Sequence, residues 1–171
     1  YLIAGEESGD RLGAPLMAAL KELTGGQVRF AGVGGAAMTR EGLQSLFPMN
    51  DLAVMGLAEV LPRLPRLIKR LNAVTADIRR VKPKVLVTID APDFGFRVAK
   101  RLRGHADDTP GIKLVHYVAP SVWAWRPGRA KKVAGFLDHL LALLPFEPAY
   151  FEAEGLGCTY VGHPVLLSGA E

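Results

Sequence analysis

Short apolar runs alternate with helical patterns along this chain, and that alternation constrains the fold more than any other feature. Strands that alternate with helices form right-handed crossovers and a parallel sheet. We therefore predict an α/β fold, with a doubly wound, mostly parallel six-stranded sheet in a single Rossmann-like domain over 1–171. The predicted strands are 1–4, 28–33, 85–89, 113–118, 139–144 and 158–162.

The segments between the strands carry helical periodicity. Helices are predicted near 9–23, 36–41, 94–103, 128–135 and 148–153, and a long helical region ends near residue 81. Pro62 and Pro65 are predicted to divide that long region, because proline removes a helical hydrogen bond and clashes with the preceding turn.

Composition narrows the class of protein. The 171 residues are 49% hydrophobic and 22% charged, which is typical of a globular chain with a real core. A net charge of +4 favours anionic partners such as phosphates, acidic lipid surfaces or nucleic acid. The single cysteine, Cys158, excludes a disulfide framework and points to a reducing compartment. The chain starts within an apolar run, so we expect a methionine and a few strand residues to precede it.

Two glycine-rich motifs follow the first two strands, where an open parallel sheet binds its ligands. The motifs are AGEESGDRLG (4–13) and AGVGGAAM (31–38), and neither has the spacing of a Walker loop or a dinucleotide fingerprint. Ser8 or Asp10 can cap the helix that follows. Glu6 and Glu7 suit sugar hydroxyls better than a phosphate. A tight strand-to-helix turn explains the first motif equally well.

The motif IDAPDF (89–94) ends the third strand on a carboxylate. Pro92 favours extended geometry at Ala91, so the strand ends there, and Asp93 is predicted to be the N-cap of the next helix. Asp90 ends an apolar strand, where an aspartate must be hydrogen-bonded or functional. Partial desolvation would raise its proton affinity, which suits a general base. The alternative is a carboxylate satisfied by N–H groups of the loop.

The motif HYVAPSVWAWRPGRAKK (116–132) follows the fourth strand. Tryptophan faces stack on sugars or bases, and Arg126 or Arg129 could bind phosphate. Alternatively, Trp123 and Trp125 are hydrophobic plugs. His116 lies within the strand and is interpreted as a core histidine.

Glu147 and His163 follow the last two strands and are predicted to reach the same sheet edge. His163 is a candidate acid or base. The histidines are scattered and the cysteine has no ligand partner, so no metal site is predicted.

The segment 49–71 combines an apolar helical face with basic residues elsewhere, as an interfacial helix on anionic lipid does. A helix packed on the sheet would show the same pattern. The candidate membrane-facing residues are Leu57, Val60, Leu61, Leu64, Leu67 and Ile68.

Seven motifs in order resemble the lipid-A-disaccharide synthases, glycosyltransferase family 19: those quoted above together with AVMGLAEVLPRL (53–64), LLPFEPAYF (143–151) and VGHP (161–164). The resemblance implies the N-terminal, acceptor-side half of an enzyme with two Rossmann-like domains (GT-B). The activity it implies transfers 2,3-diacylglucosamine from its UDP ester to the 6-hydroxyl of 2,3-diacylglucosamine 1-phosphate (lipid X). Transfer would invert the anomeric centre, release UDP and need no cofactor or metal.

The resemblance also implies roles for individual residues. Asp90 would be the catalytic base, and segment 49–71 would admit acyl chains at the membrane. Residues of the other motifs would bind substrate: Gly5, Glu6, Ser8, Gly9, Gly34, Ser121, Trp123, Arg126, Glu147 and His163.

Partners and location follow from the same resemblance. The implied partners are the two lipid substrates, the inner-membrane surface and a C-terminal nucleotide-binding domain absent from this chain, with no nucleic acid. The implied location is cytoplasmic, peripheral on the inner membrane, and the chain alone is expected to be inactive. The tail VLLSGAE (165–171) departs from the family pattern. A lipid-binding module without catalysis and a different Rossmann enzyme acting on nucleotide sugars are the alternatives.

Overall fold

The computed structural model describes residues 1–52, 57–122 and 128–163, and for 57–63 it describes the backbone but not the side chains. The chain divides into two compact units, Tyr1–Ile112 and Lys113–Glu171. Each unit is built from parallel strands and helices, as the alternating pattern predicts.

The first unit has β1 at the centre of its parallel strands. β2 and β3 pair on either side of it, with Ile3 opposite Val33 and Ala4 opposite Ile89. The carboxyl ends of the three strands therefore meet at one edge. The elements are β1 (Leu2–Ala4), α1 (Glu7–Leu23), β2 (Gly32–Val33), α2 (Ala36–Arg40), α3 (Leu57–Val81), β3 (Val85–Ile89) and α4 (Pro92–Gly104), with 3₁₀ turns at Met49–Asp51 and Ala106–Asp108.

The second unit places β5 between β4 and β6, again in parallel, with Leu140 opposite both His116 and Cys158. Its elements are β4 (Lys113–Tyr117), α5 (Gly128–Ala134), β5 (His139–Ala142), α6 (Pro148–Glu152) and β6 (Gly157–Tyr160). All six predicted strands are thus present and pair in parallel, alternating with helices. The predicted doubly wound, mostly parallel α/β class is confirmed.

Each unit buries its own apolar core. Burial of these side chains is the main favourable term in folding, at about 25 cal/mol per Å² of apolar surface. In the first unit Leu2, Met17, Ile78, Leu86, Ile89 and Val98 are at most 2% exposed, and in the second unit Leu114, Leu140 and Phe151 are at most 1% exposed. His116 is also fully buried, as expected of a core histidine.

Two predictions about prolines and caps are wrong. α3 is continuous from Leu57 to Val81, so Pro62 and Pro65 do not divide it. A helix tolerates a proline within it at the cost of a hydrogen bond and a local bend. Asp93 is not the N-cap of α4, because the helix begins two residues earlier with Pro92 at its first position and Ala91 as the cap. Asp93 lies in the first turn and pairs with Arg97, 3.3 Å away.

The predicted second strand is longer than the one observed. Only Gly32 and Val33 pair as strand, rather than the whole of 28–33. Gly32 has φ +138°, and a Cβ there would lie 1.8 Å from the Leu2 carbonyl oxygen. The strand therefore depends on a glycine that lets β2 approach β1 closely.

Gly95 lets α4 lie directly against β3. A Cβ at Gly95 would lie 2.7 Å from Cβ of Thr88, a buried and branched side chain. We expect Gly95→Ala to lower the free energy of unfolding by about 1–3 kcal/mol through overpacking. At Gly104, in the same helix, an added Cβ would meet no atom within 4 Å. Gly104→Ala is the matched control, with a stabilising change of at most about 1 kcal/mol. Equal destabilisation of both variants in urea would contradict the close approach.

Candidate functional site

Asp90 lies at the carboxyl end of β3, beside the first glycine turn. Because Ala4 pairs with Ile89, Gly5 and Glu6 follow β1 at the level where Asp90 follows β3. A Cβ at Gly5 would lie 3.8 Å from Cβ of Ala91. The structure therefore brings the AGEESGD and IDAPDF motifs together at one sheet edge.

The backbone at Asp90 is unusual. Its φ is +55°, in the left-handed region that non-glycine residues seldom adopt, although aspartate and asparagine tolerate it best. Such conformations cluster at functional sites. The side chain is half-buried. Within the described parts of the chain, its carboxylate has no hydrogen-bond or ion-pair partner. The alternative of a carboxylate satisfied by loop N–H groups finds no support there.

The β1–α1 turn presents polar side chains next to Asp90. Glu6 and Ser8 are exposed, while Gly5 and Gly9 are buried. A Cβ at Gly9 would lie 3.0 Å from the Ile89 carbonyl oxygen, so glycine there lets α1 begin directly against the end of β3. The prediction that Ser8 or Asp10 caps α1 is wrong, because Glu6 occupies the N-cap and no side chain caps this helix.

Asp10 instead holds the second glycine turn. Its carboxylate is 4% exposed and accepts hydrogen bonds from three backbone N–H groups, those of Gly35 at 2.8 Å, Ala37 at 2.8 Å and Met38 at 2.9 Å. A Cβ at Gly35 would lie 2.6 Å from Oδ2 of Asp10. The carboxylate therefore fixes the start of α2 from a neighbouring helix. The sequence signal was an aspartate on the buried face of α1, beside Gly9, Gly13 and Met17.

A cavity of about 640 Å³ opens beside this turn. It is lined by the start of α1, the glycine pair Gly34–Gly35, α2 and segment 48–50. Its volume is in the range of small-molecule sites. Of the predicted substrate-binding residues, Gly34 lines it, and its N–H donates to the Ser45 hydroxyl at 3.2 Å.

Arg70 of α3 contacts the residues on either side of a segment that lines the cavity. Its guanidinium carbon lies 4.5 Å from the centroid of the Phe47 ring, and the group also pairs with the Asp51 carboxylate. Segment 48–50, between these two contacts, lines the cavity. Sequence reasoning missed this contact, since the partners are about 20 residues apart.

The second unit carries the remaining predicted residues. Ser121 and His163 are exposed, whereas Glu147 is 4% exposed and accepts a hydrogen bond from the Leu144 N–H at 3.0 Å. Glu147 thus stabilises the turn after β5, and its carboxylate is directed to the protein backbone. Trp123 and Arg126 lie outside the described residues.

The end of β4 is strained in the same way as the end of β3. Val118 has φ +83°, which is a genuine outlier for a branched side chain, and its N–H donates to the Leu141 carbonyl at 3.0 Å. The loop that carries Ser121 therefore begins with a strained backbone conformation at Val118.

Cys158 in β6 is predicted to be unreactive. Burial, reinforced by the charges of Glu147 and Glu152, raises the pKa of its thiol from 9.0 to about 11. Each pKa unit reduces the thiolate tenfold at a pH below both values, so alkylation by iodoacetamide at pH 8 should be about 100-fold slower than in the unfolded chain. The rate should keep rising to about pH 11. Mass spectrometry of the Cys158 peptide measures it, and equal rates in buffer and denaturant would contradict the shift.

Part of the predicted membrane face is described. Leu64 and Ile68 are 40% and 50% exposed, and Leu67 is half-buried. The side chains of Leu57, Val60 and Leu61 lie outside the described set. In the described parts of the chain, no helix is both long and apolar enough to cross a bilayer. No cluster of three acidic, histidine or cysteine side chains suited to a metal occurs there either.

Comparison with known proteins decides the family. The family profile described as lipid-A-disaccharide synthetase matches residues 1–168. The chain belongs to the lipid-A-disaccharide synthetase family. Proteins named lipid-A-disaccharide synthase from Rhodospirillum centenum and Ruegeria pomeroyi are 66% and 54% identical to it over 171 and 166 residues.

The chain spans less than half the length of these relatives of the lipid-A-disaccharide synthetase family. The alignments cover 100% and 97% of this chain but 42% and 40% of the two relatives. A third, from Paramagnetospirillum magneticum, is 54% identical over 99% of this chain and 43% of its own length. The predicted family is confirmed.

Proposed function

We propose that the protein containing this chain synthesises the lipid A disaccharide. It transfers 2,3-diacylglucosamine from UDP to the 6-hydroxyl of lipid X, and this chain is its acceptor-side, Rossmann-like domain. Membership of the lipid-A-disaccharide synthetase family supports the class of reaction. The observation that carries the role of this chain is Asp90, half-buried, held at φ +55° and without a partner among the described residues.

Asp90 acts as the general base of a single displacement. Its carboxylate takes the proton of the acceptor 6-hydroxyl as that oxygen forms a bond to C1 of the donor. The bond from C1 to the UDP oxygen breaks, and its electron pair leaves with UDP from the opposite face. One displacement inverts C1, and general-base assistance of this kind is typically worth about 10²–10⁴ in rate.

The neighbouring residues hold the sugars. Gly9 lets α1 begin close to Asp90, because a Cβ there would lie 3.0 Å from the Ile89 carbonyl oxygen, and Gly5 lies beside Ala91 at the same turn. Glu6 and Ser8 are exposed at the same turn. Glu6 accepts hydrogen bonds from sugar hydroxyl groups, and Ser8 can accept from them or donate to them. Gly34 lines the adjacent cavity. By family resemblance, Ser121, Trp123, Arg126 and His163 of the second unit bind substrate. Glu147 holds the turn after β5 in that unit.

The exposed face of α3 meets the inner-membrane surface, where the acyl chains of both substrates reside. Leu64 and Ile68 expose apolar area, and Arg66 and Lys69 on the same helix supply positive charge toward anionic lipid.

Vesicle co-sedimentation tests the membrane proposal. Ile68→Glu should reduce the fraction bound to anionic vesicles several-fold, because an exposed apolar side chain that would enter the lipid is replaced by a negative charge. Leu23→Glu is the matched control, since Leu23 is 83% exposed but lies on α1. Unchanged binding of the Ile68 variant, or equal loss in both, would contradict the assignment to α3.

An activity assay tests the proposed function itself. The full-length protein should release UDP from the donor only when lipid X is present, with one disaccharide formed per UDP. If the protein instead bound lipid vesicles and released no UDP with both substrates, a lipid-binding module without catalysis would be the better description.

A further inference from the structure

Among the charged side chains that line the cavity beside β2, one has no hydrogen-bond or ion-pair partner in the described residues. Arg11 on its wall pairs with Glu7 at 2.7 Å, and the Asp10 carboxylate is occupied by three backbone N–H groups. Arg40, at the end of α2, also lines the cavity and is exposed. In the described ranges its guanidinium has neither a hydrogen bond nor an ion pair. The free charge facing the cavity is therefore positive.

The lining of the cavity suits a polar ring with an anionic substituent. The Gly34–Gly35 backbone forms part of the wall, and side chains are excluded there because a Cβ at either position would lie under 3 Å from a neighbour. Asn50 and the Glu7–Arg11 pair supply further donors and acceptors. A guanidinium is the side chain best matched to phosphate, since it can donate two parallel hydrogen bonds.

The cavity is close enough to Asp90 for one ligand to reach both. β1 lies between β2 and β3. Neighbouring strands are about 4.8 Å apart, so the ends of β2 and β3 are separated by about 10 Å. In a hexosamine 1-phosphate, the carbons that carry the phosphate and the 6-hydroxymethyl group flank the ring oxygen, and the long, flexible side chain of Arg40 can cover the remaining separation.

We infer that Arg40 binds the phosphate of the acceptor sugar in this cavity and so orients its 6-hydroxyl toward Asp90. This rests on the proposed function, which supplies a phosphorylated acceptor. The donor also carries phosphates, and the two sources are separated by measuring each substrate independently.

Steady-state kinetics of the full-length protein test Arg40. Arg40→Ala should raise the KM for the phosphorylated acceptor roughly 10- to 100-fold, the effect of one charge-assisted contact. The kcat should fall less than the acceptor KM rises, since the lost contact positions the bound acceptor as well as holding it, and the donor KM should stay within about twofold. Arg40→Lys should recover part of the loss. Arg29→Ala is the matched control, an exposed arginine before β2 and outside the cavity lining. With an acceptor that lacks the 1-phosphate, Arg40→Ala and the parent should have the same acceptor KM.

A binding measurement separates this inference from the reaction. Glucosamine 1-phosphate, titrated calorimetrically without donor, should bind the parent and Arg29→Ala more tightly than Arg40→Ala, while glucosamine shows no such difference. Equal binding of glucosamine 1-phosphate to all three proteins would overturn the role of Arg40, as would a raised donor KM with an unchanged acceptor KM. If the full-length protein transferred no sugar, but the variants still differed in glucosamine 1-phosphate binding as predicted, only the proposed function would be overturned.

Discussion

Asp90→Asn in the full-length protein is expected to lower kcat for sugar transfer about 10³-fold. The amide keeps the size of the carboxylate but cannot accept the proton of the acceptor hydroxyl, so the general-base contribution is lost. Substrate binding should change little, because the variant removes an interaction that matters mainly in the transition state. Initial rates of disaccharide formation at saturating substrates measure the effect.

The choice of asparagine follows from the backbone. Asp90 has φ +55°, and asparagine tolerates that conformation as aspartate does, whereas alanine costs roughly 1–2 kcal/mol there. Asp90→Ala should therefore lose both activity and stability, and Asp90→Asn activity alone. Asp93→Asn is the matched control, because Asp93 is three residues away, its side chain is 85% exposed, and among the described residues it pairs only with Arg97 on the surface. Near-normal turnover of Asp90→Asn would remove Asp90 from the mechanism.

Asp10→Ala is expected to lower the free energy of unfolding by about 3 kcal/mol. The substitution leaves the N–H groups of Gly35, Ala37 and Met38 without their acceptor. An unsatisfied buried donor costs about 1–3 kcal/mol, and the first two groups are part-buried, so water offsets some of the loss. Urea unfolding followed by circular dichroism measures the change.

Two further variants define the role of Asp10. Asp10→Asn keeps one acceptor oxygen but places an NH₂ group against backbone donors, so it should be destabilised as well, though less than alanine. Asp93→Ala removes an equally acidic side chain from a helix start and should cost under about 1 kcal/mol, since exposed ion pairs contribute little. Similar losses for Asp10→Ala and Asp93→Ala would show that the three hydrogen bonds do not hold the turn.

Local patterns predicted the elements of this fold well. Each of the six apolar runs forms a strand over at least part of its length, because parallel strands covered by helices bury apolar side chains. Asp90 was identified from the sequence as a carboxylate that no local structure requires. The end of an element was harder to predict. Asp93 fits an N-cap by composition, but proline is favoured at the first helical position, and Pro92 therefore starts α4 two residues earlier.

Contacts between distant segments were beyond local patterns. Asp10 bonds to groups 25–28 residues away, and its role depends on α1 and α2 packing together. The same holds for Arg70, whose partners lie in the turn before α3. The sequence predicted Asp10 only as a possible helix cap, and the structure shows it on the buried face of α1, where a carboxylate must find donors.

The anomeric configuration of the product tests the central claim most directly. The full-length protein would be incubated with an α-linked UDP-2,3-diacylglucosamine donor and lipid X, and the new linkage would be assigned by NMR. A single displacement with Asp90 as base predicts a β-1,6 linkage in the parent and about 10³-fold slower formation of disaccharide by Asp90→Asn. An α linkage, or equal disaccharide from both proteins, would contradict it.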